Sequence, residues 1–161
     1  MRYLAIIDED FNNYKKPSMF IGTISCGGKC CEEAGIPLCV CQNDTWRDKK
    51  PFVSTNEEII NRYFSNKLTS AIVFGGLEPF EQWDELHDFI RSIRKEYNCS
   101  DDIVIYTGYN KDEISYQISI LKEFENIIIK FGRYVPNEES HFDETLGVFL
   151  VSNNQYGEKI S

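Results

Sequence analysis

The sequence has no apolar run long enough to cross a membrane, and it has little positive charge. A membrane-spanning helix needs roughly 20 consecutive apolar residues, and no run here approaches that length. The 17 lysines and arginines are outnumbered by 26 aspartates and glutamates, which gives a net charge of -9. Because nucleic acids and anionic membranes attract basic surfaces, we expect no nucleic-acid or membrane partner, and instead a protein or small-molecule one.

The N-terminal stretch "MRYLAIIDED" lacks the features of a secretory signal. It has one basic residue and an apolar run of only five residues before acidic residues begin, whereas a signal peptide needs a longer apolar region. We therefore expect a cytoplasmic protein, in which clustered cysteines bind metal or react more often than they form disulfides. Repeats, low-complexity segments and linkers are also absent, and 161 residues predict a single domain over 1–161.

Short β-branched runs alternate with helical patterns along most of the chain. Capping-box pairs at Thr55 and Asn110 and the apolar periodicity of 83–97 predict three helices. The predicted strands are 3–7, 19–24, 71–74, 102–106, 126–130 and 147–151. This alternation predicts an α/β fold with a mainly parallel sheet and helices over one face. Length excludes a closed eightfold barrel, so a partial, open barrel remains, with a loop at 135–145 before the last strand.

Glycines and polar residues follow several predicted strands. Ligands of parallel α/β sheets bind beyond the carboxyl ends of the strands, so these segments are expected to converge on one site. The segments are the cysteine-rich stretch after 19–24, "GGLEP" after 71–74, "TGY" after 102–106, "FGR" after 126–130 and "SNNQ" after 147–151.

Five of the six cysteines lie within "TISCGGKCCEEAGIPLCVCQNDTW", residues 23–46. Two pairs of cysteines, Cys26 with Cys30 and Cys39 with Cys41, could bind one tetrahedral zinc ion. The Gly-Gly between Cys26 and Cys30 could equally let the loop wrap around a larger iron-sulfur cluster. The segment contains no histidine, so its ligands are sulfur alone, which suits zinc or iron-sulfur and disfavours calcium or magnesium.

The same segment resembles the cluster loop of the radical S-adenosylmethionine superfamily. Within that superfamily it is similar to the activating protein of anaerobic (class III) ribonucleotide reductase, whose loop reads Cys-x3-Cys-x2-Cys, then an aromatic residue, Asn and Trp. Cys41, Asn43 and Trp46 match the third cysteine and its sequel. Further segments resemble the family in the same order: "FGGLEPF", "IYTGY", "IIKFGRYV" and "SNNQ".

The resemblance implies a partial βα barrel with a 4Fe-4S cluster held by Cys26, Cys30 and Cys41. The fourth iron would bind the amino and carboxylate groups of S-adenosylmethionine, and one electron would cleave that cofactor to methionine and a 5'-deoxyadenosyl radical. The radical would abstract hydrogen from a glycine of the reductase large subunit, with a flavodoxin- or ferredoxin-type electron donor. A related radical protein with another substrate, and a zinc-stabilised binding module, are the alternatives.

The resemblance also implies the residues that bind the cofactor. Gly75 and Gly76 would let it approach the strand edge closely because no Cβ intervenes, and Glu78 would accept from its ammonium group. Leu77 is an extra residue that shifts this carboxylate by one place, and Glu78 could instead be an exposed helix-start carboxylate. The remaining predicted contacts are Thr107, Lys130, Asn153, Asn154 and Gln155. Solvated charge at Lys130 and Arg133, and a simple turn at 153–155, are the alternatives there.

The spacing of the cysteines departs from the family. Ten residues separate Cys30 from Cys41 instead of two, so 31–38 is an insertion. If it bulges outward its ends stay close, and the longer loop costs only about 1 to 2 kcal/mol more to close. The sequel favours Cys41 as the third ligand, ahead of Cys39, and Cys31 ranks last because it adjoins Cys30. Cys31 and Cys39 could instead form a bridge or bind a second metal.

Overall fold

The computed structural model describes all 161 residues and has a mixed α/β fold. The strands are β1 (Arg2–Tyr3), β2 (Ala5–Asp10), β3 (Ser18–Thr23), β4 (Phe52–Val53), β5 (Ala71–Gly76), β6 (Asp102–Tyr106), β7 (Ile127–Phe131), β8 (His141–Asp143), β9 (Val148–Leu150) and β10 (Tyr156–Lys159). The α-helices are α1 (Lys29–Ala34), α2 (Asp44–Arg47), α3 (Asn56–Ser65), α4 (Trp83–Lys95) and α5 (Ser115–Leu121). Short 3-10 helices cover Leu38–Val40, Pro79–Gln82 and Lys111–Ile114. None of the helices has both the length and the apolar character of a membrane span.

Six strands form a central sheet in the order β10-β7-β6-β5-β3-β2. The four inner strands β3, β5, β6 and β7 are parallel, and the edge strands β2 and β10 are antiparallel to their neighbours. The predicted mainly parallel α/β sheet is therefore confirmed. The sheet has two free edges and does not close into a barrel.

The three predicted helices are confirmed as α3, α4 and the segment that ends in α5. Local signals specify their starts, because the Thr55 hydroxyl accepts from the Glu58 N–H at 3.1 Å while the Glu58 carboxylate accepts from the Thr55 N–H at 2.8 Å. The Glu113 carboxylate likewise accepts from the Asn110 N–H at 2.8 Å. These helices alternate with the inner strands, which explains the parallel order.

The predicted strand 147–151 is confirmed as β9, but it does not join the central sheet. The apolar run 147–151 gives β9, which pairs with β8 in a separate hairpin, so β8 occupies part of the predicted loop 135–145. The sixth strand of the sheet is instead β10, "YGEK", which pairs with β7. An edge strand can be held largely by main-chain pairing, so a polar sequence suffices there and gives no apolar signal.

The alternation of side chains along the inner strands builds two cores. Ile72 and Phe74 point to the face that α3, α4 and α5 cover, where the larger core lies. Ala71 and Val73 point to the opposite face, which is covered by residues such as Leu150 of the β8–β9 hairpin. Helices therefore cover one face, as predicted, and a hairpin and loops cover the other.

Candidate functional site

A cavity of about 670 Å³ lies beyond the carboxyl ends of the inner strands. Because these strands are parallel, the segments after β5, β6 and β7 meet at one edge, as the sequence predicts. The predicted site residues that line the cavity are Cys26, Cys30, Cys41, Gly75, Gly76, Glu78, Thr107, Lys130 and Gln155. Nine of the predicted residues therefore share one concave surface.

Asn153 and Asn154 are the two predicted residues that lie outside the cavity lining. Both are exposed in a turn between β9 and β10, as the turn interpretation expects. The Asn154 amide donates to the Arg133 carbonyl at 2.9 Å, which helps to fix the chain at this turn. Gln155 differs, because it is buried, lines the cavity and donates to the Gly132 carbonyl at 3.3 Å.

The insertion 31–38 forms helix α1 and a turn. The helix ends at Gly35, whose φ of 64° is a left-handed conformation that glycine adopts without steric cost. The Ile36 N–H donates to the Cys31 carbonyl at 3.0 Å, and the following 3-10 turn Leu38–Val40 leads to Cys41. The inserted residues thus return the chain to the cavity, and Cys41 lines the same wall as the first two cysteines.

Cys31 also lines this cavity and is only 4% exposed, whereas Cys39 is exposed and lies outside it. All six cysteines are free thiols, so no bridge joins Cys31 to Cys39. No three His, Cys, Asp or Glu side chains are placed to bind one metal ion, so the geometry gives no support to the four-cysteine zinc site. A 4Fe-4S cluster binds its cysteines through different irons and needs no convergence on one point.

Arg47 of α2 supports the first cysteine of the loop. Its Nη1 donates to the Cys26 carbonyl at 2.5 Å, and its Nη2 lies 3.7 Å from the Cys26 Sγ. Burial raises the pKa of the Cys26 thiol, while the Gly28 N–H and the Arg47 charge act in the opposite direction. Arg47 is therefore a cation beside a predicted ligand, and the sequence pattern gave no signal for it.

Cys30 reaches the end of β6 because residue 108 is a glycine. An ideal Cβ on Gly108 would lie only 2.7 Å from the Cys30 Sγ. Burial raises the pKa of the Cys30 thiol. The close approach of thiol and backbone joins the cluster loop to the segment "TGY" that the sequence placed at the same edge.

Glu78 is buried at 8% exposure, so the prediction of an exposed helix-start carboxylate is wrong in that respect. It does begin the 3-10 helix Pro79–Gln82, and its Oε1 accepts from the Phe80 N–H at 3.1 Å. Oε1 also accepts from the Thr107 hydroxyl at 2.7 Å, and Oε2 accepts from the Gly108 N–H at 2.9 Å. Burial raises the pKa of Glu78, and these three hydrogen bonds oppose the shift. One of about four acceptor positions on the carboxylate remains for a ligand.

Lys130 and Arg133 are both buried, so the interpretation as solvated rim charges is wrong. The Arg133 guanidinium binds both oxygens of Glu113 at 2.6 Å, and its Nε lies 2.9 Å from Glu33. Lys130 has no such partner, and its Nζ donates to the Gly132 carbonyl at 2.8 Å. Burial lowers the pKa of Lys130 to about 8. Lys130 is thus an unpaired cation in the cavity wall, which can bind an anionic group.

Gly76 makes room for a neighbouring side chain of the protein itself, in addition to lining the cavity. Its φ is 84°, and an ideal Cβ there would lie 3.0 Å from Cζ3 of Trp46. On Gly22 an ideal Cβ would lie 2.2 Å from the same atom. Trp46 also packs edge-on against Phe20. Gly22 and Gly76 therefore anchor the cluster loop to β3 and β5, and Gly75 and Gly76 both line the cavity.

Glu81 also holds the cluster loop, although sequence analysis did not identify it. Its Oε1 accepts from the Gly27 N–H at 2.6 Å, and its Oε2 accepts from the Ser25 hydroxyl at 2.8 Å. The Ser25 carbonyl in turn accepts from the Glu78 N–H at 2.6 Å. The start of the loop is thus fixed to the segment after β5.

Thiols and buried polar groups share one cavity at the edge of a mainly parallel sheet, an arrangement that can bind a metal cluster. The family described as the 4Fe-4S single cluster domain matches residues 28–156 and is found in radical S-adenosylmethionine-associated proteins. The chain belongs to this family, which supports the prediction of iron-sulfur binding. No curated protein and no solved structure matches the chain.

Proposed function

We propose that this protein is a radical S-adenosylmethionine enzyme that activates anaerobic ribonucleotide reductase. One observation carries the proposal: thiols and buried polar side chains meet in a single cavity beyond the parallel strands. A thiol-bound cluster beside a free cation and a carboxylate suits a cofactor that has both an ammonium and a carboxylate group. The membership of the 4Fe-4S family and the ordered sequence resemblance support the same function.

Cys26, Cys30 and Cys41 are the residues that would hold the cluster. When bound together, the cluster and S-adenosylmethionine supply a one-electron cleavage that gives methionine and a 5'-deoxyadenosyl radical. The protein supplies placement and excludes water, because apolar side chains such as Phe20 and Val148 line the cavity.

The buried polar residues would orient the cofactor. The free acceptor position of Glu78 suits an ammonium group, and the unpaired Lys130 ammonium suits a carboxylate. Thr107 fixes the Glu78 carboxylate by its 2.7 Å hydrogen bond. The amide nitrogen of Gln155 donates to the Gly132 carbonyl, and its side-chain oxygen would accept from a hydroxyl or amino group of the adenosine.

A protein substrate suits the outer part of the cavity, where apolar side chains are exposed. Ile7, Val40 and Phe149 line the cavity with exposed fractions of 46%, 57% and 72%. Such side chains can pack against a glycine-bearing loop of the reductase large subunit. The reductase and a flavodoxin- or ferredoxin-type donor are the partners that the sequence resemblance implies.

Anaerobic reconstitution tests the function. We expect about four irons and four sulfides per chain, a change in the electron paramagnetic resonance (EPR) spectrum on adding S-adenosylmethionine, and 5'-deoxyadenosine after reduction. Cys41→Ala should lose the cluster, and the matched variant Cys39→Ala should keep it. A cluster that neither responds to S-adenosylmethionine nor cleaves it contradicts the proposal. Stoichiometric zinc without iron contradicts it too, and favours the zinc-stabilised module.

The partner needs a separate experiment. The reduced protein, S-adenosylmethionine and the reductase large subunit should together give the EPR doublet of a glycyl radical. A reductase in which the radical glycine is replaced by alanine is the control and should give no doublet. Cleavage of the cofactor without any radical on the reductase would instead favour a radical enzyme with another substrate.

A further inference from the structure

The cavity is lined by four thiols, one more than a cluster with an open iron needs. Cys26, Cys30, Cys31 and Cys41 all contribute to its wall. Cys31 is 4% exposed, so it is the most buried of these four cysteines. The fifth cysteine of the segment, Cys39, is exposed and does not line the cavity.

The Cys31 thiol is a direct neighbour of the predicted ligands. Its side chain makes a hydrogen bond with the Cys41 side chain and lies beside the Cys30 thiol. Arg47 contacts both Cys26 and Cys41, and Cys31 contacts Cys41, so Cys31 lies next to two of the predicted ligands, Cys30 and Cys41. A 4Fe-4S cluster most often binds four cysteines, one at each iron.

Cys31 is also the first residue of the insertion 31–38. Its backbone N–H donates to the Gly28 carbonyl at 2.9 Å, and helix α1 lies between two residues with left-handed conformations, Gly28 at φ 80° and Gly35 at φ 64°. The insertion therefore both lengthens the loop and brings an additional thiol to the cavity. Glycines at both ends leave this short helix free to adjust by small backbone rotations.

We propose that Cys31 is a fourth, exchangeable thiolate ligand, which occupies the fourth iron of the cluster until the amino and carboxylate groups of S-adenosylmethionine displace it. Cys31 gives its thiol proton to solvent when its sulfur binds iron, and takes up a proton when the iron-sulfur bond breaks. No electron is transferred in either step. The exchange rests on the proposed function, whereas the fourth ligation depends only on the cluster being bound.

The two parts can be tested separately on the reconstituted protein. For the ligation, the wild type, Cys31→Ala and Cys31→Ser are treated with ferricyanide, and the 3Fe-4S EPR signal is measured with the iron content. An iron without a cysteine ligand is lost most readily, so both variants should assemble a cluster and give a several-fold larger 3Fe-4S signal than the wild type. Cys39→Ala is the matched control and should behave as the wild type.

Equal 3Fe-4S signals in the wild type and both variants would overturn the fourth ligation. Failure of both Cys31 variants to assemble a cluster would overturn it as well, because Cys31 would then be a permanent ligand. For the exchange, S-adenosylmethionine binding is titrated by EPR, and Cys31→Ala should bind it several-fold more tightly because no thiolate has to be displaced. Equal affinity for both proteins contradicts the exchange. If neither protein responds to S-adenosylmethionine while the difference in iron loss persists, the proposed function and the exchange fail, and Cys31 remains as a ligand.

Discussion

The guanidinium of Arg47 holds Cys26 by two groups, the backbone carbonyl at 2.5 Å and the thiol sulfur at 3.7 Å. The same cation also contacts the Cys41 side chain. A reduced cluster carries one more negative charge than the oxidised one, so a nearby cation and a hydrogen bond to sulfur stabilise the reduced form. Arg47 would therefore make a cluster bound beside it easier to reduce.

Replacement of Arg47 should lower the reduction potential of the cluster. We expect Arg47→Met to shift it downwards by on the order of tens of millivolts, because the positive charge is lost while much of the side-chain volume stays. An EPR-monitored redox titration measures the shift. Arg91→Met is the control, because Arg91 is exposed and pairs only with Asp88. An unchanged potential in Arg47→Met would show that the guanidinium does not affect the cluster.

Trp46 and Gly22 should be energetically coupled. Gly22→Ala places a methyl group against the Trp46 ring and should reduce the free energy of unfolding by about 1 to 3 kcal/mol. In a Trp46→Leu background the same change should cost less, by about 1 kcal/mol or more. Urea denaturation of the four proteins of this cycle measures the coupling.

Gly35→Ala provides the control for that cycle. No atom lies within 4 Å of an ideal Cβ on Gly35, and its φ is 64°. The substitution should therefore cost roughly 1 kcal/mol from backbone strain alone, and equally in both backgrounds. If Gly22→Ala also costs the same in both backgrounds, the ring does not pack on Gly22 as described.

The parts of the fold that local signals specify could be predicted from the sequence. The capping box at Thr55 and the apolar periodicity of α4 each act between nearby residues, so they specify these helices locally. The inner strands are rich in β-branched residues because both faces of the sheet are buried. Strand β10 could not be predicted, because its residues are polar and it is held by pairing with β7, which lies far from it in the sequence. The pairing of β9 with β8, and not with the sheet, likewise depends on tertiary packing that the local sequence does not specify.

The candidate site shows the same division. Residues at or just beyond the carboxyl ends of parallel strands, such as Lys130 and Glu78, could be placed at one edge from topology alone. Arg47 and Glu81 could not, because each acts on a segment at least 20 residues away through contacts that exist only in the folded chain. Cys31 ranked last among the possible ligands because it adjoins Cys30, yet both neighbours line the cavity.

The Glu113 carboxylate should stabilise the fold in a pH-dependent way. Its hydrogen bonds with Arg133 lower the pKa of Glu113 below its ordinary value of 4.5. A lowered pKa means that the stabilisation is fully present above pH 4.5 and is lost as the pH falls through the pKa of the folded state. Solvent screens this exposed carboxylate, so Glu113→Gln should reduce the free energy of unfolding by only about 0.5 to 1 kcal/mol at neutral pH, and the deficit should shrink in acid.

Thermal or urea denaturation at several pH values tests this expectation. Asp88→Asn is the matched control, because Asp88 pairs with Arg91 on an exposed helix surface and should change the stability by less than about 0.5 kcal/mol. A Glu113→Gln deficit that stays constant from neutral pH into strong acid would mean that the loss comes from packing and not from the charge of the carboxylate.

Lys130 should control cofactor affinity in the proposed function. Its buried ammonium has no carboxylate partner in the protein, so it is available for the carboxylate of S-adenosylmethionine. Lys130→Met should weaken binding roughly 10- to 100-fold, the loss of a charge-assisted hydrogen bond, with the iron content unchanged. Lys122→Met, at an exposed position, should bind as the wild type does.

The pH dependence of binding separates the charge of Lys130 from its volume. Burial lowers the pKa of Lys130 to about 8, so the free protein carries the charge below that pH and loses it above. Wild-type affinity should therefore fall as the pH rises beyond about 8, whereas Lys130→Met should show no fall over the same range. A bound carboxylate favours the ammonium form, so the transition in the complex should lie at higher pH than in the free protein. Calorimetric titration with S-adenosylmethionine across this range measures both curves, and parallel curves would show that Lys130 does not bind the carboxylate.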